Sequence, residues 1–158
     1  MNEDLQMAMD HLIQIRVNFK KLLESLPEAK LYEIPAGFKN NIIWHFAHTV
    51  VTQQILIYKL SGLPMMIGEA LLAKYMKGTD GVADFLEGFK EEIVLTSYST
   101  LEKLQTDILT PEIFSDFQVY PTSFGIELQS FEQAIRFNNI HESLHLGYAM
   151  AIRKVLNA

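Results

Sequence analysis

The chain holds five histidines, His11, His45, His48, His141 and His145, and no cysteine. Imidazole is the commonest protein ligand for transition metals, and it binds in its neutral form. The lack of cysteine removes disulfides, thiolate ligands and catalysis by a protein thiol. Any metal here is therefore held by nitrogen, with oxygen at most as a supplement, and any sulfur chemistry must use sulfur that arrives with a substrate. His141 and His145 are four residues apart, so on a helix they share a face, one turn from each other. One such pair among five histidines arises by chance often enough that spacing alone decides little. The argument turns on which faces the histidines occupy.

The elements that must position them are helical. Leu5, Ala8, Leu12, Ile15, Phe19, Leu22 and Leu26 recur at steps of three and four, one apolar seam that stops before Pro27. Residues 27–40 read as a connection broken by Pro27, Pro35 and Gly37. Asn40 or Asn41 can cap a second helix running to about Ser61 and ending at Gly62 and Pro64. Its seam is Trp44, His48, Val51, Ile55 and Tyr58. Residues 62–79 form a second connection, with room for a short helix between Gly68 and Gly78. A third long helix is expected over about 81–109, seamed by Val82, Leu86, Phe89, Ile93, Leu101, Leu104 and Ile108 and less regular around 96–100. Thr110-Pro111-Glu112 resembles a cap with proline at the first helical position, so one extra turn can follow. Residues 117–128, with Pro121 and Gly125, read as an irregular or extended wrap. Ser130 and Gln133 form a capping-box pattern that opens a last helix. Its seam is Phe131, Ala134, Asn138, His141, His145, Tyr148, Ile152 and Val155. Four seamed helices and no sheet predict an all-α four-helix bundle.

Seam positions should be apolar, yet the second helix carries His48 there and the last carries His141 and His145. Buried imidazoles cost free energy unless both nitrogens find partners, so three on facing seams call for a reason, and a metal supplies one. His45 lies about 100° from the seam and is assigned to the flank or surface; His11 is read as a surface residue. Three histidines form a neutral ligand set that leaves a position open for water or substrate, as in catalytic zinc sites. Such an ion can lower the pKa of bound water toward ~7 or hold an incoming thiol as thiolate. No catalytic residue is assigned beyond these ligands. Asn138 and Tyr148, one turn either side of the pair, can orient a ligand or water, or simply hydrogen-bond within the core. Glu142 points off the seam, where it could support a ligand or be solvated or salt-bridged. Trp44 packs the core and can also wall a pocket.

A length of 158 residues fits one domain, taken as 1–158. A net charge of -6 argues against a nucleic-acid binder, which needs a concentrated positive surface. The acidic N-terminus, with Glu3, Asp4 and Asp10, is unlike a signal peptide, and no apolar run approaches the ~20 residues of a membrane span. A soluble, cytoplasmic protein with no membrane partner is expected.

The stretch NNIIWHFAHTVVTQQILIYKLSG, residues 40–62, resembles the DinB-like (DinB/YfiT-like) superfamily, in which a Trp precedes a metal-binding His by four residues. NNIHESLHLGYAMAIRKVL resembles that family's His-x-x-x-His-x-Gly element on the fourth helix. On these positions the resemblance implies His48, His141 and His145 as ligands of one divalent ion, nickel or zinc. It further implies an up-down-down-up bundle with 62–79 as the crossover, and commonly a homodimer. Some relatives act as metal-dependent transferases or isomerases on low-molecular-weight thiols. The leading expectation is a metal-dependent enzyme that activates a small-molecule thiol (S-transferase-like) or water. The alternatives are a non-catalytic metal- or ligand-binding bundle, such as a stress accessory protein, and a metal-free buried histidine network.

Overall fold

The computed structural model describes residues 3–81 and 85–157, so Val82 of the expected third seam lies outside the described residues. Helix α1, Glu3–Glu24, starts on Glu3 and Asp4 and ends near Lys21, the charge order its dipole favours. Leu26 stays buried just past its end. After the single turn α2, Glu28–Leu31, the side chain of Asn41 accepts from the Trp44 backbone N–H at 2.9 Å and opens α3, Ile42–Ile57. The expected end near Ser61 is reached through a 3-10 turn, Lys59–Ser61. The short helix in the second connection forms as α4, Glu69–Tyr75.

The third long helix, α5, spans Phe89–Asp107 and so begins eight residues later than its periodicity suggests. Gly88, at φ 77°, sits in the left-handed region and breaks any helix arriving from upstream. Gly81 lies against the start of α3: its N–H donates to Asn40 Oδ1 at 2.6 Å, and a Cβ there would stand 2.7 Å from Asn40 Cα. That contact holds the chain across the N-terminal end of α3. The extra turn after Thr110 is a 3-10 turn, Pro111–Phe114. The stretch 117–128 carries a minimal antiparallel hairpin, β1 (Tyr120–Pro121) with β2 (Glu127–Leu128). Helix α6, Phe131–Leu156, is capped by Ser130, whose hydroxyl accepts from Gln133 N–H at 3.4 Å. Gln133 Oε1 in turn accepts from the backbone N–H of Gln129.

The fold is all-α, built on the long helices α1, α3, α5 and α6. Helix α3 is central: every residue from Asn41 to Val51 is buried, so it has no solvent face along this stretch. Two apolar clusters fill the interior. One gathers Phe19, Phe46, Val50, Ile93 and Ile152; the other gathers Leu12, Leu56, Leu101, Leu104 and Ile135. Helices α1 and α6 run from the second cluster to the first, and α3 and α5 run the opposite way, the sense an up-down-down-up order requires. No helix among the described residues is long and apolar enough to cross a membrane.

Between the clusters lies a polar layer. Arg16 and Glu142, both with 0% side-chain exposure, form a two-pronged ion pair, Nε to Oε2 at 2.5 Å and Nη2 to Oε1 at 2.7 Å. Arg16 also donates to Ser97 Oγ at 2.9 Å and to the Thr49 carbonyl at 3.3 Å. Asn138 Nδ2 donates to Glu142 Oε1 at 2.8 Å. The layer therefore ties all four long helices together, and it explains the irregular middle of the α5 seam, where Ser97 and Thr100 replace apolar residues and are buried. The salt-bridged alternative for Glu142 holds, with the pair buried: the buried stripe of α6 runs through Asn138, Glu142, Ala149 and Ile152. The seam of α6 is corrected. Tyr148 and Val155 lie off that stripe and are each 49% exposed.

Removing one partner strands a buried charge, so Glu142→Leu should cost about 3–5 kcal/mol in urea denaturation. The double variant Arg16→Met/Glu142→Leu should cost clearly less than the sum of its two single variants. Strict additivity would show that the pair is not coupled.

Candidate metal centre

Helix α3 brings Trp44, His45, His48 and Thr52 to one side of α6, and α6 answers with His141 and His145. One ring nitrogen from each of His48, His141 and His145 can be chosen so that all three lie within 4.8 Å of one another. His141 Nε2 and His145 Nε2 are 3.1 Å apart. Two nitrogens bound to one ion at ~2.0–2.1 Å stand about 3 to 3.4 Å apart, so this spacing already suits a shared ligand.

His48 is the most constrained of the three. Its Nδ1 lies 2.6 Å from the carbonyl of Tyr75. A carbonyl only accepts, so Nδ1 carries the proton and Nε2 is left bare, with the Thr52 hydroxyl at 3.3 Å as a weak donor to it. The Trp44 ring stacks on the imidazole at 4.5 Å and 8°, fixing its plane, while Trp44 Nε1 donates to Thr79 Oγ1 at 3.1 Å. A donor pinned to a carbonyl and a free second nitrogen is the arrangement metal-binding histidines commonly show.

The placement of His45 on a flank or surface is overturned. It is 4% exposed, and its Nδ1 lies 2.8 Å from His145 Nδ1. The 100° offset from the seam does not lead to solvent, because α3 is enclosed on all sides and α6 covers this face as well. His11 is exposed on α1, away from the group. Trp44 lines the cavity described below, whereas Asn138 and Glu142 belong to the polar layer. Tyr148 packs edge-on to Phe38 and 5.2 Å from the His45 ring. Both Glu142 oxygens are taken by Arg16 and Asn138, so it offers no ready fourth ligand.

His48, His141 and His145 stand in the wall of a cavity of about 280 Å³. Trp44, Ile55, Leu56, Phe124, Phe137 and Leu144 make its apolar surface. Thr52, Thr122 and Ser123 add hydroxyls, and among the described residues Lys77 is the one charged side chain in the lining, with no carboxylate. The 117–128 wrap thus helps to build the cavity, since Tyr120 and 122–124 line it. The Tyr75 carbonyl and the hairpin residues were not foreseeable as parts of a site, because neither belongs to a periodic pattern.

Burial pushes all four inner histidines toward the neutral form. His45 falls to about 4 through desolvation and the neighbouring His48. His141 falls to about 3 for the same two reasons. His145 is lowered by desolvation and then by His141, His48 and His45. His48 is lowered by desolvation, partly opposed by its bond to the Tyr75 carbonyl. At neutral pH the cluster is therefore a set of uncharged imidazoles, the form that binds a cation. His141 Nδ1 and His45 Nε2 have no hydrogen-bond partner among the described residues.

These shifts fix the acid response of the metal-free protein. In the unfolded chain each histidine protonates near 6.5, whereas in the fold it resists. Below pH 6.5 the unfolded state binds more protons, so stability falls as pH falls, by up to ~1.4 kcal/mol per pH unit for each histidine. The urea midpoint of chelator-treated protein should drop steadily from pH 7 to pH 5, and His145→Phe should flatten that slope. A midpoint independent of pH over this range would contradict the buried neutral cluster.

A search among curated proteins finds no match to the chain. The sequence profile of the DinB superfamily matches residues 11–149, a span that includes α3, the hairpin, the polar layer and His45, His48, His141 and His145. The chain belongs to the DinB superfamily.

Proposed function

We propose that the protein is a metal-dependent enzyme whose single divalent ion, nickel or zinc, is held by His48, His141 and His145. One observation carries this reading: three neutral imidazoles converge in the wall of a cavity open to small molecules, with no carboxylate lining it among the described residues. The chemistry such an ion supplies when bound is Lewis acidity, which favours the deprotonated, nucleophilic form of a thiol or of water. The chain's own residues do the rest. Tyr75 and Trp44 hold His48 in one tautomer and one plane. The aromatic and aliphatic walls lower the polarity around the imidazoles, which strengthens electrostatic interactions there. Lys77 suits an anionic group on the incoming molecule.

The substrate we favour is a low-molecular-weight thiol that loses its S–H proton and forms a C–S bond to an electrophilic carbon of a second small molecule, whose leaving group departs; hydrolysis by activated water is the variant within the same site. A homodimer in the cytoplasm completes the proposal. The non-catalytic metal-binding reading needs a closed coordination position. Recruiting Glu142 to close it would require breaking the buried pair with Arg16.

Protein purified without an affinity tag should carry close to one equivalent of nickel or zinc, and His145→Ala should lose most of it. Chelator should lower the melting temperature of the wild type, since a ligand at one hundred times its Kd stabilises the fold by about 2.7 kcal/mol. Substoichiometric metal that falls no further in His145→Ala, with a melting temperature indifferent to chelator, would favour the metal-free histidine network instead.

A further inference from the structure

We propose that His45 is a positioning residue for the metal centre: it accepts a hydrogen bond from His145 Nδ1–H and so fixes the tautomer and orientation in which His145 presents Nε2. The inference rests on the three-histidine reading above and goes beyond it, because His45 is not among the ligands.

The geometry carries the argument. A neutral imidazole has one N–H and one bare nitrogen, and only the bare nitrogen can bind an ion. His145 turns Nε2 toward His141 Nε2, at 3.1 Å, and turns Nδ1 away from the cluster toward His45 Nδ1, at 2.8 Å. For Nε2 to bind, Nδ1 must carry the proton, and a buried N–H needs an acceptor. Metal-binding histidines usually find that acceptor in a carbonyl or carboxylate. His48 follows the rule with the Tyr75 carbonyl. For His145 the acceptor in place is the imidazole of His45.

His45 is itself held for this task. It sits on the second turn of α3, where the backbone is buried on every side. Its ring meets Trp44 edge-on at 5.4 Å and lies 5.2 Å from Tyr148. With Nδ1 bare, its own proton is on Nε2, a nitrogen that is buried without a partner among the described residues. An unsatisfied buried donor is a cost to the fold. An apolar side chain of similar size would avoid that cost, but it would leave His145 without an acceptor.

The test uses zinc alone as the probe, with affinity read by chelator competition on the full chain. His45→Phe keeps a flat ring of similar size and removes the acceptor. It should weaken zinc binding by about 10–100-fold. His45→Asn places a carbonyl oxygen near the position of Nδ1 and should restore affinity to within a few-fold of wild type. Nitrogen-15 NMR of the zinc-loaded wild type should show the His145 proton on Nδ1, with a through-hydrogen-bond coupling to His45 Nδ1. Equal zinc affinity in wild type and His45→Phe would overturn the assignment, and so would a His145 proton on Nε2. Equal loss in the Phe and Asn variants would assign His45 to packing alone and overturn it too. If His45→Phe does not fold, the Asn variant and the wild-type NMR decide. A wild type that binds no zinc or nickel overturns the three-histidine reading itself and this inference with it; a wild type that binds while the variants match it overturns this inference alone.

Discussion

The buried pair of Arg16 and Glu142 sets the geometry on which the rest of this protein depends. Two charges with no exposure are costly to desolvate, and they persist only where attraction and hydrogen bonds offset that cost. Here the guanidinium fork meets both carboxylate oxygens, and its remaining reach goes to Ser97 and Thr49. The pair tolerates little slippage, because a shift of one residue along α1 or α6 would separate fork from carboxylate. It therefore fixes the rotation of α6 about its own axis. Glu142 is the immediate neighbour of His141, and once Glu142 faces Arg16, His141 and His145 are turned to the flank that meets α3.

The histidine cluster sits beside the polar layer and works by the opposite physics. The layer pairs full charges, whereas the cluster keeps four imidazoles uncharged. Desolvation is the largest cause of the lowered pKa in each of them. Apolar residues at these positions would make a more stable bundle. The lone pairs gathered at the cavity wall are an expense that a bound cation offsets, since it binds the folded state and not the unfolded one. Stability and function are in this sense opposed in the metal-free chain and aligned in the loaded one.

Much of this was legible from periodicity. The seams of the first, second and last helices place their elements correctly, and the Ser130–Gln133 and Asn41 caps act as their residue types suggest. The conversion of His48, His141 and His145 from spacing into a cluster also followed from seam logic. What failed did so for identifiable reasons. A seam drawn through every third or fourth residue of α6 can be placed on either of two adjacent lines. Both lines share Asn138 and Ile152; between them one runs through the histidines and Tyr148, while the buried one runs through Glu142 and Ala149. Tyr148 therefore lies half-exposed, and the ion pair of Glu142 lies inside. The flank position of His45 would reach solvent on a helix with an exposed face, which α3 lacks along 41–51. Arg16 continues a stripe, Leu12, Arg16, Phe19, Leu23, at steps of four, three and four; a charged residue on such a line is the signal for its buried partner. The late start of α5 and the Tyr75 carbonyl depend on loop geometry that periodicity does not encode.

Diffraction from crystals of metal-loaded protein, recorded above and below the absorption edge of the bound metal, tests the central claim most directly. The account predicts one anomalous peak, bonded to Nε2 of His48 and to His141 and His145, with its open side toward the cavity lined by Trp44 and Phe137. A peak elsewhere on the molecule, or a fully loaded centre closed by a fourth side chain, would contradict it.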